Sequence, residues 1–278
     1  MLDFMVDDER CTRCRACMRD CPTRIIGQHG TNLPTIAPEN ESKCIRCQHC
    51  MAICPTAAIS ILGKQPTDSL DITPEALPPL DALDLLVRSR RSIRRFEKKN
   101  VDPDLISRLL AATANAPTGA NQRDLTFNVV DDRETMIRLR TQIMKRLQAA
   151  ADAGAIPEQM AYLHMAIPGF FKYGSDVIFR GAPHMLIVSA GPKAFTPHED
   201  ITIALTTFEL LATSAGLGTA WCGMLKMACE TVPEIKSLVG LPQQGNYYAI
   251  LFGIPAVEYP RTTQRDDSAT IKRIACPE

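Results

Sequence analysis

A cysteine motif that occurs twice near the start of the chain constrains the fold more than any other feature. It reads CTRCRACMRDCP from Cys11 and CIRCQHCMAICP from Cys44, with the spacing C-x2-C-x2-C-x3-C-P in both copies. The repeat extends past the cysteines, since PTRII and PTAAI follow at the same offset. A cubane iron-sulfur cluster needs four thiolates, of which one short loop can supply three. The motif therefore predicts two such clusters.

The spacing is similar to that of bacterial two-cluster ferredoxins. This resemblance covers residues 1–63 and implies that the fourth cysteine of each copy crosses to the other cluster. The first cluster would then have the ligands Cys11, Cys14, Cys17 and Cys54. The second would have Cys44, Cys47, Cys50 and Cys21. Two alternatives, a disulfide framework and structural zinc sites, fit the compact runs less well.

Charge and hydropathy exclude several classes of partner. The chain has 31 basic and 31 acidic residues, which argues against nucleic acid or an anionic membrane as the main partner. It has no apolar run of the roughly 18 residues that span a bilayer. Its acidic start, MLDFMVDDER, is unlike a signal peptide. Thiolate ligands also require a reducing compartment, so we expect a cytoplasmic protein.

A proline-rich stretch at 64–80 predicts an extended linker between a ferredoxin domain at 1–63 and a second domain at 81–278. In the second domain, Asp102 and Pro103 predict a helix start. Strands are predicted from Thr126, His184, Thr219 and Tyr247, and long helices at 134–153 and 199–215, the latter apolar nearly all round. This mixture predicts an α+β fold.

Two motifs at the start of the second domain suggest a cofactor site. SRRSIRRF occupies 89–96, and in an extended segment Arg90, Ser92 and Arg94 would share one face suited to a phosphate. A solvated basic surface is the alternative. APTGAN follows at 116–121, directly after the predicted helix.

The start of the second domain resembles the opening of the nitroreductase family, with RRSIRRF, a helix and then APTGAN. Later segments agree with this resemblance, namely GLGTAWCG at 216–223 and the strand YYAILFGIP. The resemblance implies a central antiparallel-rich sheet with surrounding helices, an intertwined homodimer and bound FMN. The residues that it assigns to FMN are Arg90, Arg91, Ser92, Arg94, Pro117, Thr118, Gly119, Asn121, Gly223, Arg261 and Arg265. No residue is singled out as catalytic.

Three departures from the family pattern stand out. Asn121-Gln122-Arg123 replaces the usual N-x-Q, Trp221 precedes Cys222 in place of C-W, and an aromatic segment at 157–180 could be either a lid or plain core. Cys222, Cys229 and Cys276 are interpreted as buried or incidental cysteines, because no histidine adjoins them in sequence.

Clusters that move single electrons, joined to a flavin that moves one or two, predict a one-to-two electron converter. The expected partners are a ferredoxin or NAD(P)H as donor and a small organic acceptor of the nitro, quinone, alkene or flavin type. A pure electron carrier and a redox sensor are the alternative functions.

Overall fold

The computed structural model describes residues 2–28, 30, 32–265 and 269–276. The chain divides into two compact units. Unit 1 comprises Met1–Pro78 together with Thr118–Arg123, and unit 2 comprises Pro79–Pro117 and Asp124–Glu278. Within the described ranges, no helix is both long and apolar enough to cross a membrane.

Unit 1 is small, and its described residues form two short antiparallel ribbons and two short α-helices. Strands β1 and β4 pair with each other, and so do β2 and β3. A core formed by Leu2, Ile25, Ile26, Ile59 and Ile61 lies beneath them. The elements are β1 (Met5–Val6), α1 (Ala16–Asp20), β2 (Ile26–Gly27), β3 (Thr35–Ile36), α2 (His49–Ala52) and β4 (Ile59–Ser60).

The sequence repeat is also a backbone repeat. Left-handed backbone conformations, which non-glycine residues adopt rarely, recur at equivalent positions of the two cysteine runs. Such a conformation lets a short loop turn its amides and side chains inward around a bound group. The matched pairs are Arg13 and Arg46, Arg15 and Gln48, and Arg24 and Ala57.

The proline-rich stretch contains two single turns of 3-10 helix, Pro66–Asp68 and Pro74–Ala76, each with proline at its first position. Between and after these turns, Leu70, Ile72 and Leu77 are exposed. Proline fixes the backbone in an extended or turn conformation, so this stretch has little regular structure.

Unit 2 is built on an antiparallel sheet with the strand order β5-β6-β8-β7. The strands are β5 (Leu125–Val130), β6 (His184–Ala190), β7 (Gly218–Trp221) and β8 (Tyr247–Gly253). All four predicted strands are confirmed. β6 lies between β5 and β8 and is buried along its whole length, which accounts for its unbroken apolar sequence.

Helices cover both faces of the sheet. Alternate residues of β6 therefore point into two different cores. Met185 and Ile187 belong to one core and Leu186 and Val188 to the other. The helices are α3 (Leu80–Ser89), α4 (Pro103–Thr113), α5 (Arg133–Asp152), α6 (Ala161–Tyr173), α7 (Pro197–Ser214), α8 (Gly223–Thr231) and α9 (Ile235–Leu238). The predicted α+β fold is therefore confirmed.

The predicted start of α4 at Asp102 and Pro103 is also observed. The Asp102 carboxylate accepts a hydrogen bond from the Asp104 amide at 3.0 Å. The apolar sequence of α7 predicts burial on every side, in a large core or at a subunit interface, and in the single chain only part of its surface is in the core. Thr202, Ile203 and Thr206 are exposed on one side of α7, while Ala204, Leu205 and Phe208 pack in the core.

Candidate functional site

The eight cysteines of the repeat line two separate cavities in unit 1. One cavity is lined by Cys11, Cys14, Cys17 and Cys54. The other is lined by Cys21, Cys44, Cys47 and Cys50. Each cavity thus receives three thiols from one run and the last cysteine of the other, which is the crossed arrangement that the ferredoxin resemblance implies.

The surroundings of the thiols suit thiolate ligands bound to iron. Burial raises the pKa of Cys50 to about 12 and also raises the pKa of Cys17, so neither loses its proton without a cation to compensate. Backbone amides already point at sulfur atoms, with the Ala58 amide donating to Cys54 Sγ at 3.2 Å and the Arg46 amide to Cys44 Sγ at 3.4 Å. Such N–H···S contacts stabilise negative charge on a cluster.

In unit 2, the segment after α3 is extended, as predicted. Ser92 forms a parallel bridge to Thr219 on β7, and the Ile93 amide donates to the Thr219 carbonyl at 2.7 Å. The approach is so close that a Cβ on Gly218 would lie 2.6 Å from Ile93 Cγ1, so the position requires glycine. Ile93 and Phe96 are buried, while the arginines between and before them reach the surface.

Four arginines from two distant parts of unit 2 meet at one cavity of about 450 Å³, together with Val87 and Thr263. The arginines are Arg88, Arg90, Arg91 and Arg265. Arg91 donates to the Thr263 hydroxyl at 2.7 Å and to the Arg88 carbonyl at 3.0 Å. Its Nε is buried and has no hydrogen-bond partner among the described residues. A buried donor without a partner is what a bound anion would satisfy.

Two carboxylates partly neutralise this cavity. Asp84 pairs with Arg88 at 2.6 Å, and Glu209 pairs with Arg90 at 3.2 Å. Among the described residues of the cavity and their ion-pair partners, four guanidinium groups less two carboxylates leave two positive charges. A phosphate monoester carries about −1.5 to −2 at neutral pH, so the charges match.

Glu209 is a residue beside this cavity that the sequence did not predict. It is nearly fully buried on α7 and accepts three hydrogen bonds, from Arg90 at 3.2 Å, from the Thr219 hydroxyl at 3.0 Å and from Trp221 Nε1 at 3.0 Å. A lone carboxylate inside the apolar run of α7 was the available signal, because such a group is rarely buried without partners.

Other predicted residues lie outside the arginine cavity. Arg94 is exposed, with one long hydrogen bond to its neighbour Ser92, and Arg261 is exposed and does not line the cavity. Gly223 begins α8, where a Cβ would lie 2.7 Å from the Tyr248 hydroxyl. Pro117 is an exposed residue of unit 2.

Thr118, Gly119 and Asn121 belong to unit 1. There the Asn121 side-chain amide donates to the Ile45 carbonyl at 2.9 Å, between two cysteines of the second run. The Thr118 hydroxyl accepts from the Arg123 amide at 2.9 Å and closes the turn. No feature of the sequence connected this segment with the cysteine runs.

The remaining cysteines and the aromatic segment are mostly core. Cys222 and Cys229 are buried, and burial raises the pKa of the two thiols to about 12 and about 11, which disfavours the reactive thiolate form; Cys276 is exposed. In α6, Phe170 packs against the core, whereas Phe171 and Tyr173 are exposed. Phe170 is thus part of the core, and the lid alternative for this segment stays a prediction.

Comparison with known proteins agrees with both units. Residues 4–55 match the 4Fe-4S dicluster domain. Residues 87–254, more than half of the chain, match the nitroreductase family. The chain belongs to the nitroreductase family. It is therefore an oxidoreductase of that family with an additional iron-sulfur domain, as the sequence predicted.

Relatives within the nitroreductase family carry different names. A 5,6-dimethylbenzimidazole synthase from Rhodospirillum rubrum is 29% identical over 65% of this chain and 85% of its own length. A protein from Archaeoglobus fulgidus, provisionally named NADH dehydrogenase/NAD(P)H nitroreductase, is 24% identical over 63% of this chain and 84% of its own length. The crystal structure of a nitroreductase with bound FMN from Bacteroides fragilis covers 69% of this chain and 98% of its own, with 22% identity and a TM-score of 0.54.

Proposed function

We propose that this nitroreductase is an FMN-dependent oxidoreductase in which two [4Fe-4S] clusters and the flavin exchange electrons, and in which an oxidised organic substrate is reduced at the flavin. The observation that carries the proposal is the crossed arrangement of the eight cysteines around two cavities. Clusters of this type move one electron at a time. FMN, when bound, exchanges electrons singly or in pairs, so the combination converts one kind of transfer into the other.

The arginine cavity is the proposed site for the FMN phosphate. Its two excess positive charges suit a dianion, and so does the Nε of Arg91, which has no hydrogen-bond partner in the described part of the chain. Glu209 holds the Arg90 guanidinium in one orientation. Arg90, Arg91 and Arg265 would bind the phosphate, and Ser92 the adjoining polar chain of the cofactor. The family resemblance further assigns Arg94, Pro117, Thr118, Gly119, Asn121, Gly223 and Arg261 to the cofactor.

A ferredoxin or NAD(P)H is the proposed electron donor. The provisional name of the Archaeoglobus fulgidus relative supports NAD(P)H, whereas the dicluster domain supports a protein donor that delivers single electrons. The two curated relatives have names that imply different chemistry. The proposed substrate is therefore a class, namely a nitro compound, quinone, activated alkene or free flavin.

We also propose a homodimer in the cytoplasm. The exposed apolar side chains of α3, Leu80, Leu83, Leu85 and Val87, support an interface with a second copy. Eight thiols committed to clusters support a reducing compartment.

Loss of single cluster ligands tests the proposed electron route. Anaerobically purified protein should contain about eight iron and eight sulfide per chain. Cys14→Ala and Cys47→Ala each remove a ligand from one cavity and should abolish FMN reduction by a reduced ferredoxin, while any reduction by NADH or NADPH survives. A hydride donor must reach the flavin itself, whereas an electron from a bulky protein needs a relay.

Anaerobic stopped-flow spectra at the flavin and cluster bands give the order of reduction. Cys276→Ala is the matched control, because Cys276 is exposed and lies outside both cysteine cavities. If the ligand variants keep FMN and fold and still accept electrons from ferredoxin at the parent rate, the clusters are not on the route. Reduction of FMN with no turnover of any small acceptor would instead indicate a pure electron carrier.

A further inference from the structure

The segment Thr118–Arg123 has an unusual local structure and an unexpected location. Ala120, Asn121 and Arg123 all have left-handed backbone conformations, with φ of 51°, 54° and 53°. Two backbone hydrogen bonds, from Asn121 to Thr118 and from Gln122 to Gly119, hold the turn. The segment belongs to the compact unit that contains the cysteine runs, although α4 precedes it in sequence and β5 follows it.

One side chain of this segment reaches the backbone of a cysteine run. Asn121 Nδ2 lies 2.9 Å from the carbonyl oxygen of Ile45. A carbonyl oxygen can only accept, so the amide nitrogen of Asn121 is the donor. Ile45 lines the same cavity as Cys44, Cys47 and Cys50.

The peptide group that receives this hydrogen bond also contacts a cluster ligand. The carbonyl of Ile45 and the amide of Arg46 belong to one peptide, and the Arg46 amide donates to Cys44 Sγ at 3.4 Å. Hydrogen bonds in series polarise one another. A donor on the carbonyl therefore makes the amide at the other end of the peptide a stronger donor to sulfur.

The repeat makes this contact informative. The equivalent peptide of the first run is Thr12–Arg13, because Arg13 and Arg46 occupy matching positions and share the left-handed conformation. The segment around Asn121 is not repeated in the sequence, and the Asn121 side chain donates to the second cysteine run. The contact thus distinguishes two loops that are otherwise nearly equivalent.

We propose that Asn121 sets the reduction potential of the cluster held by Cys21, Cys44, Cys47 and Cys50, through the Ile45–Arg46 peptide and the Cys44 sulfur. The inference rests on the presence of the clusters in the proposed function. Asn121 acts through the peptide and is a positioning residue.

The sign follows from electrostatics. Reduction adds one electron to the cluster, taken from the external reductant, and no bond is made or broken. The added negative charge spreads partly onto the ligand sulfurs, so a stronger N–H donor at Cys44 favours the reduced form and raises the potential. Removal of the Asn121 amide therefore lowers the potential of this cluster and leaves that of the other unchanged.

Two variants remove the donor without disturbing the backbone. Asn121→Gly and Asn121→Asp both tolerate the left-handed conformation, and neither supplies an N–H at this place. Asn115→Gly and Asn115→Asp are the matched controls, since Asn115 is an exposed asparagine whose amide donates to the nearby helix carbonyls of Ala111 and Ala112. Cys47→Ser serves to identify the spectrum of the second-run cluster, because it replaces one of its ligands.

The measurement is a redox titration with dithionite, followed by electron paramagnetic resonance of the anaerobic holoprotein. We expect the equilibrium constant for reduction of the cluster marked by Cys47→Ser to fall about threefold or more in Asn121→Gly, which is roughly 28 mV at 59 mV per tenfold for one electron. Asn121→Asp should lower it at least as far, because its carboxylate adds negative charge.

An unchanged potential in both Asn121 variants, with full iron and sulfide content, overturns the inference, and so does an equal shift of both clusters. Absence of clusters from the parent overturns it together with the proposed function. A selective shift accompanied by unaltered electron delivery in the Cys14→Ala and Cys47→Ala variants would confirm the inference and reject only the proposed electron route.

Discussion

Glu209 shows how one buried carboxylate organises the surroundings of the arginine cavity. Its three hydrogen bonds join α7 to Arg90 and to two residues of β7, Thr219 and Trp221. An unpaired carboxylate at this depth would be costly, and the Arg90 guanidinium would lose its fixed orientation without it. The departure from the family pattern at Trp221 thus has a structural role, since its indole N–H is one of the three donors.

Glu209→Gln should lower the free energy of unfolding by about 2 kcal/mol, because a charged acceptor is replaced by an amide that cannot satisfy three donors. It should also weaken FMN retention, since Arg90 is no longer held. The measurements are urea unfolding followed by fluorescence of the single tryptophan and flavin content after gel filtration. Glu230→Gln is the control, because its surface ion pair with Lys226 should contribute little. Equal effects of the two changes would contradict the role given to Glu209.

Individual residues differ in how far the sequence predicts their contacts. The grouping of the eight cysteines around two cavities was predictable because their spacing is local and the chemistry that it suits is demanding. The Glu209 network was not, because its partner Arg90 lies 119 residues away. Hydrogen bonds of this kind depend on packing, which has no local signature in the sequence.

Helices and strands with strong local sequence patterns were predicted correctly. The strands of the sheet and the start of α4 were predicted from apolar runs and a capping residue. The hydrogen bond between Asn121 and Ile45 could not be predicted, since a short polar turn carries no periodicity.

His184 at the start of β6 makes the stability of unit 2 depend on pH. Its Nε2 accepts from the Val101 amide at 2.9 Å, and its ring stacks on Phe252. Burial lowers its pKa below the usual 6.5, although the carboxylates of Asp131 and Asp132 oppose the shift. The unfolded chain therefore binds the proton more readily, and the free energy of unfolding should fall as pH drops below about 6.5.

His184→Gln keeps an acceptor for Val101 but cannot titrate. We expect the slope of stability against pH between 6.5 and 5, at most about 1.4 kcal/mol per pH unit for one proton, to flatten in this variant. Urea unfolding at several pH values measures it. The exposed His198 provides the control variant His198→Gln, which should follow the parent curve. A parent-like slope in His184→Gln would assign the pH dependence to other groups.

The exposed apolar surface of α3 allows a test of the proposed homodimer. Leu83→Glu combined with Leu85→Glu places two charges on its exposed apolar surface. The parent should have a mass in solution about twice the 30.6 kDa of the chain, and the double variant should approach the mass of one chain. Light scattering after gel filtration gives the mass. Leu70→Glu, in the exposed proline-rich stretch, should leave the mass unchanged, and a monomeric parent would reject the dimer.

The crossed arrangement of the two cysteine runs also bears on how the protein would be assembled. Each cavity is lined by the last cysteine of the other run, so under the proposed ligand sets neither half of the repeat alone would offer four thiols to a cubane. Cluster insertion and folding of the amino-terminal unit would then depend on each other, because a chain that has emerged only as far as the first run lacks Cys54. During synthesis the first three thiols would stay without their fourth partner until the second run has left the ribosome.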